Sequence, residues 1–366
     1  MDSRATDRDL TATVRNDVLG YSIFVAEDTS ADLRAFVRDR GDAAIVLSDA
    51  APAVRAIADD IVAKLRDARL LAFPLGERRK RWRTVEDVLD ALAEAGADRD
   101  TLLIGVGGGV AADLFGFAAS VYLRGVAYAH VATTTTAMAD AAIGGKTGVN
   151  LRAGKNLAGA FSNPVAVFCP TNSLDTLPFR ELRAGLAEIV KSAVISGGEL
   201  FDALENVSSH PFWRWPWVEI VAKTVAVKAS VVAGDPLESG ERAVLNLGHT
   251  FGHAFERASN YRISHGAGVA LGLRAAGLIG LRTGRFSESD HLRVLTLLAL
   301  IGLPLYTSLD PAEVFAAMQH DKKKKQGELQ FVVPRAIGDV EYGVACSNVR
   351  IRTVLEQMRQ PPGASG

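Results

Sequence analysis

The sequence predicts an α/β domain followed by an all-α domain, and three observations carry that prediction. Short apolar runs alternate with helical segments through the first half of the chain. Helical periodicity takes over from Pro178 onward. The 366 residues are enough for two hydrophobic cores.

The elements follow in order. Ala43-Ala-Ile-Val-Leu47 is a short apolar run that ends at Ser48-Asp49, and Pro52 sits just inside the next helix. Leu70-Leu-Ala-Phe73 is a second strand, stopped by Pro74. A helix from about Val85 to Ala95 leads to the strand Leu102-Leu-Ile-Gly-Val106. Val126 to Val131 and Val165 to Phe168 are further strands, so the alternation predicts a parallel sheet with helices on its faces. Thr176-Leu-Pro-Phe-Arg-Glu181 reads as a helix start, with proline in the first turn and an acid nearby. Helices are expected near 180–196, 217–234, 243–257, 266–283 and 288–301. The boundary falls near 172–180, giving domains of 1–176 and 177–366.

Composition excludes several classes. At 48% hydrophobic and 23% charged the chain is an ordinary globular one, and a net charge of -1 argues against nucleic acid as a partner. Cys169 and Cys346 stand alone, with no CxxC pattern, which predicts neither a disulfide framework nor a thiolate zinc site and fits a reducing cytoplasm. The N-terminal Met1 to Asp9 is charged and lacks an apolar signal core. Gly266 to Leu281 is the most apolar long stretch; it is interrupted by Arg274, too short for a membrane span, and reads as a buried helix. The C-terminal Gln360 to Gly366 reads as a frayed tail.

Four polar clusters break this apolar background. Ile104-Gly-Val-Gly-Gly-Gly-Val-Ala-Ala-Asp113 follows a strand and precedes a helix. It is either a tight turn or a cradle whose backbone N–H groups meet a pyrophosphate, and its spacing is not GxGxxG. Thr133-Thr-Thr-Thr136 would face the same ligand or cap a helix. Asp140-Ala-Ala-Ile-Gly-Gly-Lys-Thr-Gly-Val-Asn150 and Gly154-Lys-Asn156 place Lys146 and Lys155 near glycine turns, suited to an anionic substrate or to a solvated loop. The fourth cluster runs from Arg242 to Glu256. His249 and His253 are four apart, Asn246 precedes His249 by three, and Arg242 precedes Asn246 by four, so one helix would line them on one stripe. His265 follows closely. Two histidines at helical spacing with a third nearby are either structural groups or metal ligands, and HxxxH without the glutamate of HExxH does not indicate a protease. Glu188, an acid in an apolar helix, is the candidate further ligand; Lys191, three residues on, shares its face, and a surface Glu188–Lys191 pair is the alternative.

Taken together these motifs, with Tyr122-Leu-Arg-Gly125, Gly185-Leu-Ala-Glu-Ile-Val-Lys191 and Leu245-Asn-Leu-Gly-His-Thr-Phe-Gly-His253, resemble the 3-dehydroquinate synthase family of sugar phosphate cyclases over roughly residues 70 to 340. The resemblance implies an N-terminal Rossmann-like NAD-binding α/β domain and a C-terminal helical metal-binding domain, with the site in the cleft between them. It implies Glu188, His249 and His265 as ligands of zinc or cobalt. His253, Lys146, Asp140, Asn246 and Lys191 are the implied catalytic set. Arg124, Lys155, Asn156, Lys228, Arg242 and Lys322 or Lys323 are the implied substrate contacts. Asp49, Glu77 and Lys80 match the adenosine-ribose side of the NAD site, and Gly108, Gly109, Asp113, Thr133 and Thr134 its pyrophosphate and nicotinamide side. The implied reaction is a lyase cascade on a seven-carbon sugar phosphate: transient oxidation by NAD, loss of phosphate, return of the hydride, ring opening and aldol closure. A cytoplasmic homodimer of the shikimate pathway is implied, with Arg124 serving the neighbouring subunit.

Asn156, Lys228, Arg242 and Asp321-Lys-Lys323 resemble the set that recognises a carboxylate, which favours 3-deoxy-D-arabino-heptulosonate 7-phosphate, or its amino analogue, over sedoheptulose 7-phosphate, the substrate of 2-epi-5-epi-valiolone synthase. Several positions depart from the family pattern. His265-Gly-Ala-Gly-Val269 replaces His-Gly-Glu-Ala-Val, so an acid that would orient the third ligand is expected to be missing. Ala132-Thr-Thr134 replaces Pro-Thr-Thr, and Phe168-Cys-Pro-Thr171 replaces a stretch that usually carries Asp. Pro211-Phe-Trp-Arg-Trp-Pro-Trp217 is atypical and reads as a lid, a partner surface or core packing. A metal-dependent polyol dehydrogenase is the rival enzyme, disfavoured by Lys146, Lys155, Lys191 and Lys228. A non-catalytic NAD- and metal-binding protein is the rival of another class, disfavoured by the presence of Glu188, His249, His253 and His265.

Overall fold

The computed structural model describes residues 13–319, 324–325 and 328–359. The expectations for the N-terminal Met1 to Asp9, for Lys322 and Lys323 and for the tail from Gln360 lie outside the described residues. The described residues form two compact units, one of 13–182 with 216–233 and the other of 183–215 with those described from 234 onward, so the segment 216–233 packs with the first unit although it follows the expected boundary.

In the first unit β1 (Val14–Asn16), β2 (Ser22–Ala26), α1 (Ser30–Arg38), β3 (Ala43–Asp49), α2 (Pro52–Lys64), β4 (Asp67–Phe73), α3 (Trp82–Glu94), β5 (Leu102–Gly107), α4 (Gly109–Val121) and β6 (Tyr128–Ala132) follow one another. The β7–β8 hairpin (Lys146–Leu151, Gly154–Phe161) and β9 (Ala166–Pro170) come next. The sheet order is β1-β2-β9-β6-β5-β3-β4, and every pairing is parallel except β1 with β2. Strand alternation sorts the core onto two faces. Ile45, Leu47 and Leu103 pack with Val85, Val88 and Leu92 of α3 and with Leu114 and Phe115 of α4. Val46, Leu102 and Ile104 point the other way, toward Leu33 and Val37 of α1 and Ala58 and Ile61 of α2. Because α2 and α4 leave adjacent strands β3 and β5 for opposite faces, the carboxyl ends of those two strands form the switch point where open α/β sheets bind ligands.

One buried group on this sheet gives the fold a pH dependence. His130 on β6 is fully enclosed, and burial lowers its pKa from the ordinary 6.5 to about 4 against a backbone hydrogen bond at Gly105 that favours the charged ring. Between those two values the unfolded chain binds a proton there that the folded chain does not. Stability is therefore full above pH 6.5 and falls as the solution is acidified, by about 3 kcal/mol once pH 4 is passed. Urea midpoints at pH 7.5 and 5 are expected to differ less in His130→Asn than in the wild type, whatever that substitution costs at pH 7.5. An unchanged difference would contradict this assignment.

The chain continues through α5 (Phe179–Ser196), α6 (Gly198–Val207), α7 (Trp217–Gly234), α8 (His249–Ala258), α9 (His265–Arg282), α10 (Glu288–Leu300), α11 (Pro311–Met318), β10 (Lys324–Lys325), β11 (Glu328–Ala336), β12 (Asp339–Ala345) and α12 (Asn348–Gln357). The second unit's core gathers Phe251 and Phe255 of α8, Leu271 and Ile279 of α9, Phe331 and Val333 of β11 and Ile351 and Val354 of α12. α9 is the buried apolar helix expected from Gly266 to Leu281. Its Arg274 is accommodated because the guanidinium donates to the carbonyls of Leu305 and Gln357. Among the described residues no helix is long and apolar enough to cross a membrane. In the tryptophan-rich segment Trp215 is buried, donates to the His210 carbonyl and packs edge-on against Phe212, whereas Trp213 is 80% exposed.

The single helix expected over 243–257 does not form. Glu241–Asn246 is a 3-10 turn, and α8 starts afresh at His249 after Gly248, which adopts φ +79°. Only glycine enters that left-handed region cheaply. Arg242 and Asn246 therefore do not share a helical stripe with His249 and His253.

Candidate active site

The metal candidates owe their convergence to glycines. A Cβ added at Gly272 of α9 would lie 1.9 Å from the Gly248 carbonyl oxygen, and one at Gly252 of α8 would lie 3.0 Å from Gly268. At Gly266 an added Cβ would lie 2.2 Å from the carbonyl oxygen of Ala184 on α5. The three helix backbones are thus in contact, and Glu188 of α5, His249 of α8 and His265 of α9 bring one ligand atom each within 4.8 Å of one another.

The hydrogen bonding at this trio calls for a cation. His249 Nδ1 lies 3.2 Å from the Leu247 carbonyl, which can only accept, so Nδ1 carries the proton and the bare Nε2 faces Glu188 Oε1 at 3.5 Å. His265 Nδ1 lies 2.8 Å from Glu256 Oε1, and its Nε2 faces Glu188 Oε1 at 3.0 Å. Two imidazole lone pairs and a carboxylate aimed at one point repel unless a proton or a metal sits among them. Without an ion the proton is held at His265. Burial opposes its charge, but Glu188 and Glu256 outweigh burial and raise the pKa to about 10. At His249 burial dominates and lowers the pKa. Two imidazoles and a carboxylate are a donor set that suits zinc or cobalt, so the residues fit the group.

Glu188 is fully buried, and Lys191 Nζ lies 2.6 Å from its Oε2. The pair is internal, not a surface one. Burial alone would raise the Glu188 pKa; the Lys191 ammonium and the two imidazoles hold it well below the usual carboxylate range. The acid expected to be missing after His265 is supplied from another helix: Glu256, 2% exposed on α8, occupies Nδ1 of His265. His253 stands beside the trio, its ring 5.5 Å from that of His249 and 6.2 Å from that of His265. Asp235 accepts from the backbone N–H groups of Ser239, Gly240 and Arg242, which lower its pKa to about 2 and fix the turn that follows. On that turn Arg242 is buried and donates to the Pro236 carbonyl at 2.5 Å, and Asn246 donates to Glu238 at 2.8 Å. Glu238 and Glu256 carry no expectation from the sequence.

The first unit holds the remaining candidates. Gly108 caps α4 without a side-chain bond, leaving the helix's first N–H groups available, and Thr133 follows β6 beside it, with Thr133 N donating to Gly107 O at 3.0 Å. A Cβ at Gly108 would meet the Thr134 side chain at 3.0 Å and one at Gly109 would meet Ala141 Cβ at 3.2 Å, so both glycines sit in tight packing. Thr133 Oγ1 is buried with no hydrogen-bond partner among the described residues, whereas Thr134 Oγ1 accepts from Ala137 N, the capping role. An open helix N-terminus and an orphaned hydroxyl at a switch point fit a dinucleotide pyrophosphate.

Asp49 ends β3, and its Oδ1 accepts from Ala51 N and Leu75 N. Lys80 is buried, paired with Asp113 and donating to Asn156 Oδ1 at 2.6 Å, which brings Asn156 beside the expected cofactor residues. Glu77 accepts from Asn150 at 2.8 Å and lies 3.8 Å from Lys155. Lys228 of α7 is buried and pairs with Asp140 at 2.5 Å, while Lys146 begins β7 exposed. The segment around Asp140 and Lys146 is not a solvated loop: Ala137–Ala141 forms a π-helical turn, and β7 pairs antiparallel with β8. Arg124 is exposed on a tight turn with φ +68°.

Residues 70–184 match the 3-dehydroquinate synthase N-terminal family and residues 185–324 the 3-dehydroquinate synthase C-terminal family. The 3-dehydroquinate synthase of Solibacter usitatus is 42% identical over 79% of this chain and 82% of its own length. A 2-deoxy-scyllo-inosose synthase, solved with carbaglucose-6-phosphate, NAD+ and Co2+, superposes with a TM-score of 0.85 at 28% identity, covering 95% of this chain and 100% of that one. A 2-epi-5-epi-valiolone synthase from Streptomyces hygroscopicus, with NAD+ and Zn2+ bound, gives 0.84 at 28% identity over 92% and 96%. On the matched length and the identity to curated relatives, the chain belongs to the 3-dehydroquinate synthase family.

Proposed function

We propose that the protein is a 3-dehydroquinate synthase, a phosphate-eliminating lyase that converts 3-deoxy-D-arabino-heptulosonate 7-phosphate to 3-dehydroquinate with NAD and a divalent metal. The observation that carries this reading is the meeting of two imidazole lone pairs with the Glu188 carboxylate, backed by Lys191. When bound, NAD supplies reversible hydride transfer and the divalent ion supplies polarisation of a substrate oxygen.

The chain's own groups do the rest. Glu188, His249 and His265 hold the ion, and Lys191 balances the buried charge of Glu188. The N-terminus of α4 with Thr133 receives the pyrophosphate of NAD, and Asp49, Glu77 and Lys80 receive its adenosine side. Lys146 and Lys155 attract the anionic substrate, Arg242 and Lys228 hold its acidic groups, and the pairing of Lys228 with Asp140 fixes that ammonium in place before substrate arrives. His253 moves a proton at its imidazole without binding the ion. His253→Ala is expected to keep one metal per chain and to lose roughly 10²- to 10⁴-fold in kcat. Loss of metal from this variant would mean that His253 is a ligand.

Phosphate release with NAD and zinc, measured in parallel on the carboxylated heptulosonate phosphate and on sedoheptulose 7-phosphate, tests the substrate assignment. Release from the first alone supports it. Release from the second alone makes the protein a valiolone-type cyclase and removes the carboxylate-holding role from Lys228 and Arg242.

A further inference from the structure

We infer that Glu256 is the positioning residue of the metal centre: its carboxylate fixes the tautomer and the orientation of His265 and thereby sets the affinity for the ion. The inference rests on the proposal that Glu188, His249 and His265 hold that ion. The two histidines reach the trio by different means. The His249 side chain is 11% exposed, held by packing and by the neutral carbonyl of Leu247 at 3.2 Å. The His265 side chain is 38% exposed, so packing constrains it much less. At Nδ1 its ring is held by the 2.8 Å bond to Glu256 Oε1, and its Nε2 faces Glu188 Oε1 at 3.0 Å.

That bond is built into the helix crossing. Glu256 ends its reach inside the α8–α9 interface at 2% exposure, a position where a carboxylate without a partner is costly. A Cβ at Gly268 would lie 3.2 Å from its Cγ and 3.5 Å from its Oε1, so the glycine leaves the room that the Glu256 side chain occupies against α9. With Glu256 ionised, Nδ1 of His265 donates to it, which leaves Nε2, facing Glu188, as the nitrogen that would bind the ion. Position 267, where the family pattern carries an acid, is Ala267, which adds no carboxylate of its own. Glu256, His253 and His265 also bring ligand atoms within 4.8 Å, but His253 is exposed, whereas Glu188 is fully buried with a buried counter-charge. Those burials favour Glu256 as the group behind the ligand over Glu256 as a ligand.

The test is binding of Co2+ alone, followed by its visible absorption, and of Zn2+ alone in competition with a chelating dye, on the metal-free full-length protein. The variants are Glu256→Gln, Glu256→Ala and Glu188→Gln, each with a urea midpoint. A glutamine keeps the shape and can still accept from Nδ1–H, so Glu256→Gln is expected to weaken binding about 10-fold and Glu256→Ala about 100-fold. A changed Co2+ spectrum in Glu256→Ala, partly restored in Glu256→Gln, supports orientation as the mechanism. If Glu256→Ala does not fold, Glu256→Gln carries the comparison. Wild-type affinity in the Glu256 variants, with metal lost from Glu188→Gln, overturns the inference and leaves the metal site standing. Wild-type affinity in Glu188→Gln, with metal lost from both Glu256 variants, overturns both and assigns the ion to His253, Glu256 and His265.

Discussion

Glu188→Gln is expected to abolish metal retention and to lower kcat/KM by roughly 10³-fold or more, because polarisation by an ion is worth several kcal/mol and each tenfold in rate about 1.4 kcal/mol. The substitution preserves shape and removes one charge from a fully buried position. It also strands Lys191, whose ammonium is 2% exposed and lies 2.6 Å from the carboxylate it balances. Breaking a buried pair from one side costs about 3–5 kcal/mol, so the variant is expected to be less stable as well as inactive. The two losses separate in Glu188→Gln/Lys191→Met, where no buried charge is left alone. Its urea midpoint should recover toward the wild type while elemental analysis still finds no metal. A single variant that retains one metal per chain and turnover would remove Glu188 from the site.

Gly272→Ala is expected to be the most damaging of the small substitutions. In an ordinary helix the change would stabilise by about 1 kcal/mol. Here the added methyl would lie 1.9 Å from the carbonyl oxygen of Gly248 and 2.7 Å from its carbon, and a backbone cannot turn aside as a side chain can. Forced overpacking costs about 1–3 kcal/mol and sometimes more, so the net effect is destabilising. The displacement also moves α8 against α9, the crossing that sets His249 beside His265, whose rings are 5.4 Å apart. Metal affinity should therefore fall further than the urea midpoint predicts. Gly234→Ala, at the end of α7 with nothing within 4 Å of the new Cβ, is the control: it should leave metal affinity unchanged and should not lower the urea midpoint. Equal behaviour of the two variants would contradict the role given to the crossing.

The sheet was legible where strands are buried on both faces. β3, β5, β6 and β9 read as apolar runs because residues on either face meet a helix or another core. The β7–β8 hairpin is not legible as a pair of strands, since its lysines, asparagines and glycines carry no alternation. Its glycines are there because the strands touch backbone to backbone: a Cβ at Gly159 would lie 2.0 Å from Thr147 O. The β11–β12 hairpin was missed because it lies inside a stretch dominated by helical periodicity. Periodicity also ran α8 back through Gly248, where one left-handed residue ends the helix.

Within the site, the placement of Glu188 and Lys191 on one face follows from their spacing, and Glu188 stands out from the residues alone as the candidate ligand beside the histidines; that His249 and His265 are the two that join it is implied only by the family resemblance. Glu256 was missed although it carried the same signal as Glu188, an acid in an apolar helical stretch. Its partner His265 lies nine residues away across a turn, a contact that local spacing does not encode.

Phosphate and reduced nicotinamide, followed together during turnover of the heptulosonate phosphate by the zinc- and NAD-loaded protein, test the central claim most directly. The cyclase reading predicts steady phosphate release with no accumulation of NADH, since each hydride taken is returned. Accumulation of NADH in step with substrate consumed, without phosphate, would contradict it and make the protein a dehydrogenase on the same fold.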